Sequence, residues 1–177
     1  KAPAETVARL ELAQAALAAD PSASTAETLA KLAARIRPLS RSASIRHRIA
    51  DATFCLPQNV LGILFYAFLE LTGGVVATAE AGGARLIATH LPLAVSLGKY
   101  VIVNEEYVTD RVVAHELGHT IQSYRRGPFY LAIEGAASFA QAALALVSPT
   151  FALGYLSRWP ENEADALGMA AFLPPSP

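Results

Sequence analysis

Residues 112–123 read VVAHELGHTIQS, and the centre of this stretch matches the pattern H-E-x-x-H. Positions i and i+4 of a helix share one face, so His115 and His119 would lie one above the other. Two imidazoles placed in this way can hold one divalent metal ion, and Glu116 between them can reach a water molecule at that metal. The stretch therefore predicts a helical metal site with His115 and His119 as ligands and Glu116 as the general base.

The flanking sequence favours a helix around this motif. Thr109 or Asp110 suits the N-cap, and Gly127-Pro128 is a stop signal. The positions that would pack inward follow the helical period, and they are Val112, Val113, Leu117, Thr120, Ile121 and Tyr124. The alternative is a pair of surface histidines with ordinary hydrogen-bond partners. The helical context favours the metal site, because the i, i+4 geometry then holds.

A later segment, SRWPENEADALG, begins at Ser157 and predicts a second helix of interest, with Ser157 as a candidate cap and Pro160 in the first turn. Glu161 and Asp165 are four residues apart and share a face, whereas Glu163 points about 200° away. Either glutamate is close enough in sequence to be a third metal ligand. The face shared with Asp165 favours Glu161, because Asp165 can then orient a metal-bound imidazole.

Composition limits the classes of function. Apolar residues make up 53% of the 177 residues and charged residues 16%, and the net charge is -1, so no bulk electrostatic attraction to nucleic acid is expected. The single cysteine, Cys55, excludes an internal disulfide and predicts a small core residue. Two histidines and one carboxylate leave a coordination position open, the pattern of a catalytic site, whereas structural zinc sites usually use several cysteines.

The N-terminal part predicts an accessory helical hairpin over residues 1–38. Residues 4–19 are strong helix formers, and Ser24-x-x-Glu27 is a capping box that opens a second helix ending near Arg37. We expect this hairpin to pack on the remaining domain; a pro-segment that shields the cleft is the alternative. The main domain is expected over 39–173 and begins with a third helix over 44–54, and a disordered tail is expected over 174–177.

The middle of the chain predicts a buried helix followed by a small sheet. The apolar run 60–69 is too short to span a bilayer before Glu70. Short β-branched segments then predict strands, with tight turns at Gly82-Gly83 and at residues 97–99. The strands are expected at 75–80, 84–90 and 100–104. His90 is expected to be an ordinary edge residue. The class predicted is α+β, mostly helical, with a small sheet.

Residues 128–157 form a long apolar stretch that Ser148-Pro149 divides in two. Each half is short for a membrane span, so a buried helical hairpin is favoured over a transmembrane one. Contact of 128–157 with a membrane surface and docking of this stretch on a partner are equally open alternatives. The chain shows no basic segment followed by an apolar core and a cleavage site, so it predicts no signal peptide. A soluble protein and one peripheral to a membrane both stay open.

The combination of H-E-x-x-H with a later E-x-x-x-D helix resembles the gluzincin metallopeptidases. A group of uncharacterised bacterial metallopeptidases is also similar over about residues 56–168. The shared pieces are Leu56-Pro57-Gln58-Asn59 with Gly62, Ser96-Leu97-Gly98, HELGHTIQS, Gly127-Pro128-Phe129-Tyr130-Leu131 and the final helix. The resemblance implies a zincin-like domain over 39–173 with the small sheet beside the active-site helix, where an exposed edge can add a substrate peptide. It also implies one zinc ion, Glu161 as its third ligand and Asp165 as the carboxylate that supports the site.

The sequence thus predicts a zinc-dependent peptidase that hydrolyses peptide bonds of a peptide or protein substrate through a metal-activated water. Two alternatives remain: a non-catalytic metal-binding interaction module, and a membrane-associated protease. Tyr124, Tyr130, Tyr155 and His90 are the candidates for stabilising the oxyanion.

Overall fold

The structure, a computed structural model, describes residues 24–39 and 53–172. The predicted helix over 4–19, nearly all of the predicted helix over 44–54 and the predicted tail over 174–177 lie outside these residues. Helices account for 64% of the structure, which also contains a small four-stranded mixed sheet, and this confirms the α+β class.

Six α-helices occur within the described ranges. They are α1 (Thr25–Ala34), α2 (Leu56–Leu71), α3 (Asp110–Arg126), α4 (Ala136–Val147), α5 (Pro149–Ala152) and α6 (Glu161–Ala171). The strands are β1 (Val75–Ala81), β2 (Ala84–Thr89), β3 (Ala94–Leu97) and β4 (Tyr100–Asn104). A π-helical turn, Leu131–Gly135, precedes α4, and 3-10 turns cover Glu105–Tyr107, Gly127–Phe129 and Tyr155–Ser157.

The sheet has the strand order β1-β2-β4-β3. β1 and β2 form an antiparallel hairpin through Gly82 and Gly83, whose φ angles of 60° and 96° favour glycine. β2 runs parallel to β4, and β3 pairs antiparallel with β4. Both predicted turns are confirmed, but β3 was not predicted, because four residues carry too short an alternating pattern. β2 ends at Thr89 rather than at the predicted His90.

Helices cover both faces of the sheet. Leu86 and Val101 belong to a buried cluster that α1 and α3 complete, whereas Ile87 and Ile102 belong to a second cluster completed by Leu69 of α2. Neighbouring residues of a strand point to opposite faces, so these pairs assign α1 and α3 to one face and α2 to the other. The metal-site helix α3 therefore lies against the sheet, as predicted.

Helix α1 is part of the main core. Its predicted capping box is present, with Ser24 Oγ accepting from the Glu27 amide at 3.2 Å, but the helix ends at Ala34 rather than near Arg37. Beyond it, the amide of Arg37 donates to the carbonyl of Ala171 at 2.8 Å. The second half of the predicted hairpin thus packs on the domain, and the accessory role of residues 1–38 stays a prediction.

Helix α2 is not the buried helix that the apolar run predicts. Only Gln58, Gly62 and Leu69 are buried, and the side chains facing away from the sheet are exposed. Its first turn is fixed to the end of α3, where Cys55 Sγ donates to the carbonyl of Ser123 at 3.3 Å. Cys55 is therefore the small core residue expected. The apolar run did not reveal the exposure, because apolar residues occur all round the helix.

The predicted buried hairpin over 128–157 is also wrong, because α4 contains no buried residue. Within the described part of the chain, no single helix is long and apolar enough to cross a membrane. One pair, Asp110–Phe129 and Leu131–Val147, meets the length and composition criteria together across a bend of 112°.

The core position of α1 gives the first prediction. Leu29→Ala should lower the free energy of unfolding by about 2–5 kcal/mol, the usual cost of such a truncation in a core, because Leu29 is fully buried. Lys31→Ala, on the exposed side of the same helix, is the control and should change stability by less than about 0.5 kcal/mol. Urea unfolding measures both. Equal effects would show that α1 is not part of the core.

Candidate metal centre

Helix α3 places the two motif histidines side by side. Thr109 caps the helix, its side chain accepting from the Val112 amide at 3.3 Å, and the helix ends at Gly127. His115 Nε2 and His119 Nε2 lie 3.2 Å apart. His119 is buried and His115 is largely buried, so the two rings point into the protein rather than into solvent. The surface-histidine alternative does not fit this burial.

Helix α6 brings Glu161 to the same point. Glu161 Oε2 lies 3.0 Å from His115 Nε2 and 3.3 Å from His119 Nε2, and the carboxylate is completely buried. The helix begins at Glu161 after Pro160, with no side-chain cap, and the predicted cap Ser157 instead donates to the carbonyl of Gly154. The start of α6 is therefore one turn later than the predicted cap implied.

Two glycines allow α3 and α6 to touch backbone to backbone. A Cβ at Gly118 would lie 1.8 Å from the carbonyl oxygen of Ala164, and one at Gly168 would lie 1.7 Å from that of Ala114. No side chain larger than hydrogen fits at either position without moving a helix. This close contact is what brings a residue of α6 within reach of the histidines on α3.

Each histidine has an acceptor for its other ring nitrogen. Asp165 Oδ1 accepts from His115 Nδ1 at 2.7 Å, which is the role predicted for Asp165. Gln122 Oε1 accepts from His119 Nδ1 at 2.9 Å, and Gln122 Nε2 donates to the carbonyl of Pro160 at 2.9 Å. Nδ1 of each ring is thereby engaged, so both Nε2 atoms point towards Glu161.

Glu163 does not join the cluster. Its carboxylate accepts from Gln122 Nε2 at 3.1 Å and pairs with Arg126 at 3.0 Å, so it supports the amide that orients His119. Arg126 also pairs with the buried Glu134. Sequence reasoning gave no role to Gln122, Arg126 or Glu134. For Gln122 a signal was available, because a residue three positions after His119 lies on the same side of the helix.

The donor set fits a zinc ion. Three ligand atoms at about 2.0–2.1 Å from a tetrahedral zinc lie roughly 3.3 Å from one another, and the three observed separations are 3.0, 3.2 and 3.3 Å. Two imidazole nitrogens and a carboxylate oxygen at these distances are stabilised by positive charge, which a metal ion between them or a proton on an imidazole would supply. Imidazole and carboxylate are the ligands that zinc uses in catalytic sites.

The pKa values of His115 and Glu161 also indicate that positive charge is stabilised at this centre. Burial acts to lower the pKa of His115, but hydrogen bonds with Asp165 and Glu161 outweigh it and raise that pKa to about 10. Burial acts to raise the pKa of Glu161, but hydrogen bonds with His115, His119 and Ser138 hold it well below its ordinary value. The centre thus favours an ionised carboxylate together with a bound cation, whether a proton or a metal ion.

The predicted base Glu116 is held by the sheet. Ser96 on β3 lies 2.8 Å from Glu116 Oε2 and 2.6 Å from the Glu116 backbone carbonyl, and both residues are buried. Glu116 is adjacent to the ligand cluster but is not a member of it, since that cluster comprises His115, His119 and Glu161. In the sequence, Ser96 stood out only within Ser96-Leu97-Gly98, one of the segments that resemble bacterial metallopeptidases, because β3 itself was not predicted.

Two of the four oxyanion candidates lie beside the centre. The pKa of Tyr130 is raised by burial and by the charges of Glu116 and Glu161, and the pKa of Tyr155 is raised by burial and by Glu161. Both phenols therefore stay protonated and can donate. His90 is exposed and pairs with Glu105 at 2.6 Å, away from the cluster, as expected of an edge residue.

Comparisons with protein-family models, with curated proteins and with solved structures found no match to this chain. The resemblance to gluzincins therefore stays a prediction, and the case for a function rests on the geometry of the site.

The glycine contacts give the second prediction. Gly118→Ala should force α3 and α6 apart, which should lower stability by at least about 1–3 kcal/mol, the usual cost of overpacking, and weaken zinc binding. Gly135→Ala is the matched control, because its Cβ would meet nothing closer than 3.6 Å. Thermal unfolding and metal content report on both variants. A fully stable, zinc-loaded Gly118→Ala protein would contradict the observed helix contact.

The third prediction separates the two glutamates. Glu161→Ala should weaken zinc affinity by more than the roughly 10–100-fold that loss of an outer hydrogen-bond partner costs, because it removes a donor atom. Glu163→Ala removes only a partner of Gln122, so its loss of zinc affinity should not exceed about 100-fold. Competition with a chromophoric chelator measures both affinities. A larger loss in Glu163→Ala would assign the ligand to Glu163.

Proposed function

We propose that the protein is a zinc-dependent peptidase. The observation that carries this proposal is a buried carboxylate, Glu116, held by Ser96 directly beside a cluster of two histidines and one glutamate. Three protein donors are the ligand number of catalytic rather than structural zinc sites. A site that served stability or recognition alone would not need a fourth side chain beside the three ligands, namely a carboxylate that is not a ligand and is held by its own hydrogen bond.

His115, His119 and Glu161 would hold the metal, and Asp165 and Gln122 would keep the two imidazoles in the required tautomer and orientation. When bound, zinc supplies a Lewis acid that activates water and polarises a carbonyl near neutral pH. Glu116 Oε1 and Oε2 are the base atoms: the carboxylate accepts the proton of the attacking water and passes it to the leaving amine. Ser96 limits the rotation of that carboxylate.

Tyr130 and Tyr155 supply the hydrogen-bond donors for charge that develops on the substrate oxygen. Both phenols are kept protonated by burial and by the surrounding carboxylates, so each can donate at any pH where the protein is folded. Glu116 is among the charges that act on Tyr130 and also on Tyr155, which is consistent with base and donors sharing one site. Tyr155 additionally hydrogen-bonds with Glu161 and Ser138.

A peptide substrate is favoured by the free edge of β3. The amide of Asn104 donates to the carbonyl of Leu93, so Leu93, Val95 and Leu97 turn their backbone groups towards β4. The backbone groups of Ala94 and Ser96 then point to the outer edge of the sheet, with which no described strand pairs. An extended peptide added there would run past Ser96 and hence past Glu116.

The base gives the fourth prediction. Glu116→Gln should keep its fold and its zinc but lose roughly 10²–10⁴-fold in the rate of peptide cleavage, the usual contribution of a positioned general base. Glu106→Gln, on the exposed turn before α3, is the control and should cleave normally. The assay is mass spectrometry of a mixed peptide library incubated with each zinc-loaded protein.

Two results would contradict the proposal. Equal cleavage by wild type and Glu116→Gln would mean that Glu116 is not the base. A zinc-loaded wild-type protein that cleaves no peptide in the library would favour the metal-binding interaction module instead.

A further inference from the structure

Helix α4 turns its large apolar side chains outward and its polar side chains inward. At about 100° per residue, Phe139, Leu146 and Val147 fall within a sector of roughly 100°, and their exposed fractions are 77%, 88% and 79%. Ser138 and Gln141 lie on the opposite side, where Gln141 Nε2 donates to the carbonyl of Trp159 at 2.6 Å. A helix on a water-facing surface normally turns its apolar side inward, so this orientation needs a partner outside the described residues.

The chain segment that contains α4 carries no exposed charge. From Gly127 to Leu156 the only acidic or basic residue is Glu134, which is buried and paired with Arg126. The π-helical turn adds the exposed Ile133, and the 3-10 turn before it adds the exposed Phe129. The result is a continuous sequence of about thirty residues whose exposed side chains are almost all apolar. We call the outer side of Ile133 and of α4 the apolar face.

Basic residues border this segment at both ends. Arg125 is exposed in the last turn of α3, immediately before the segment. Arg158 follows it, is exposed, and lies over the ring of Phe151 at 4.2 Å. An uncharged apolar segment flanked in sequence by two exposed arginines is complementary to an anionic lipid surface, where acyl chains meet the apolar side chains and headgroups meet the guanidinium groups.

We propose that the apolar face binds the surface of a lipid bilayer. A protein partner would call for a polar rim and about one hydrogen bond per 100–200 Å² of interface. The apolar face instead presents phenylalanine, leucine, valine, isoleucine and alanine with no charged side chain among them. Hydrocarbon requires no hydrogen-bond partner, so lipid is the occupant that this surface fits best. The inference does not depend on the chemistry of the metal centre.

The proposal places the metal centre close to the membrane. Ser138, on the inner side of α4, hydrogen-bonds with Glu161 and Tyr155. One helix diameter, about 10 Å, would therefore separate the bilayer surface from the cluster. A substrate reaching β3 in the bound state would come from the membrane surface or from a segment of protein next to it.

The apolar contact is tested by flotation of the full chain with vesicles of phosphatidylcholine alone and with vesicles containing one quarter phosphatidylglycerol. Wild type should float with both. The double variant Phe139→Gln/Leu146→Gln should bind at least about tenfold more weakly to both, because two large exposed side chains no longer enter the acyl region. Leu71→Gln is the matched control: Leu71 is as exposed as Leu146, at 88%, but lies at the end of α2. It should bind like wild type.

The charge contribution is tested with a second matched pair. Arg125→Gln should lower binding roughly fivefold on the phosphatidylglycerol vesicles and leave binding to phosphatidylcholine unchanged. Arg111→Gln removes an equally exposed arginine about 21 Å away along α3 and should have little effect. Circular dichroism confirms the fold of every variant.

Three outcomes would overturn the proposal. The first is a folded wild type that floats with neither vesicle, and the second is unchanged flotation of the Phe139→Gln/Leu146→Gln variant. The third is a wild-type dimer in sedimentation that the double variant dissociates without any lipid binding, which would assign the apolar face to a second copy of the chain.

Discussion

The direct backbone contact between α3 and α6 is the constraint on which the site depends. Gly118 and Gly168 bring each helix against carbonyl oxygens of the other, at a separation that a methyl group would prevent. At that separation the first residue of α6 reaches the face of α3 that carries both histidines. The same contact lets Asp165, one turn later on α6, accept from His115. Ligand and supporting carboxylate are therefore placed by one packing interaction rather than by two.

The electrostatics of the centre follow from this geometry. A completely buried carboxylate such as Glu161 is costly unless positive charge lies beside it. Asp165 and Gln122 engage Nδ1 of the two imidazoles, so both Nε2 atoms face that carboxylate. Three potential ligand atoms thus share a small volume, where a divalent metal ion or a proton on His115 would supply the positive charge. Glu116 stays outside this volume because Ser96 holds it on the side of the sheet.

The sheet and the apolar helices divide the remaining roles. β3 is an edge strand that contributes Ser96 to the base and pairs with no described strand on its outer side. Helix α4 turns Ser138 towards the centre and the adjacent Phe139 towards the outside. A single turn of α4 thus connects the proposed metal centre with the proposed lipid surface.

The sequence by itself determined the α+β class, the metal-site helix, both hairpin turns and the pairing of Glu161 with Asp165 on one helical face. Those features depend on local periodicity and turn chemistry, which short stretches of sequence record directly. Only the tertiary structure decided that α6 approaches α3 closely enough for Glu161 to meet the histidines, that Ser96 and Gln122 hold Glu116 and His119, and that α4 turns its apolar side outward. Each of these depends on contacts between residues distant in the chain. Hydropathy alone does not distinguish an apolar helix packed in a core from one with its apolar side exposed, because both have the same composition and differ only in what lies against them.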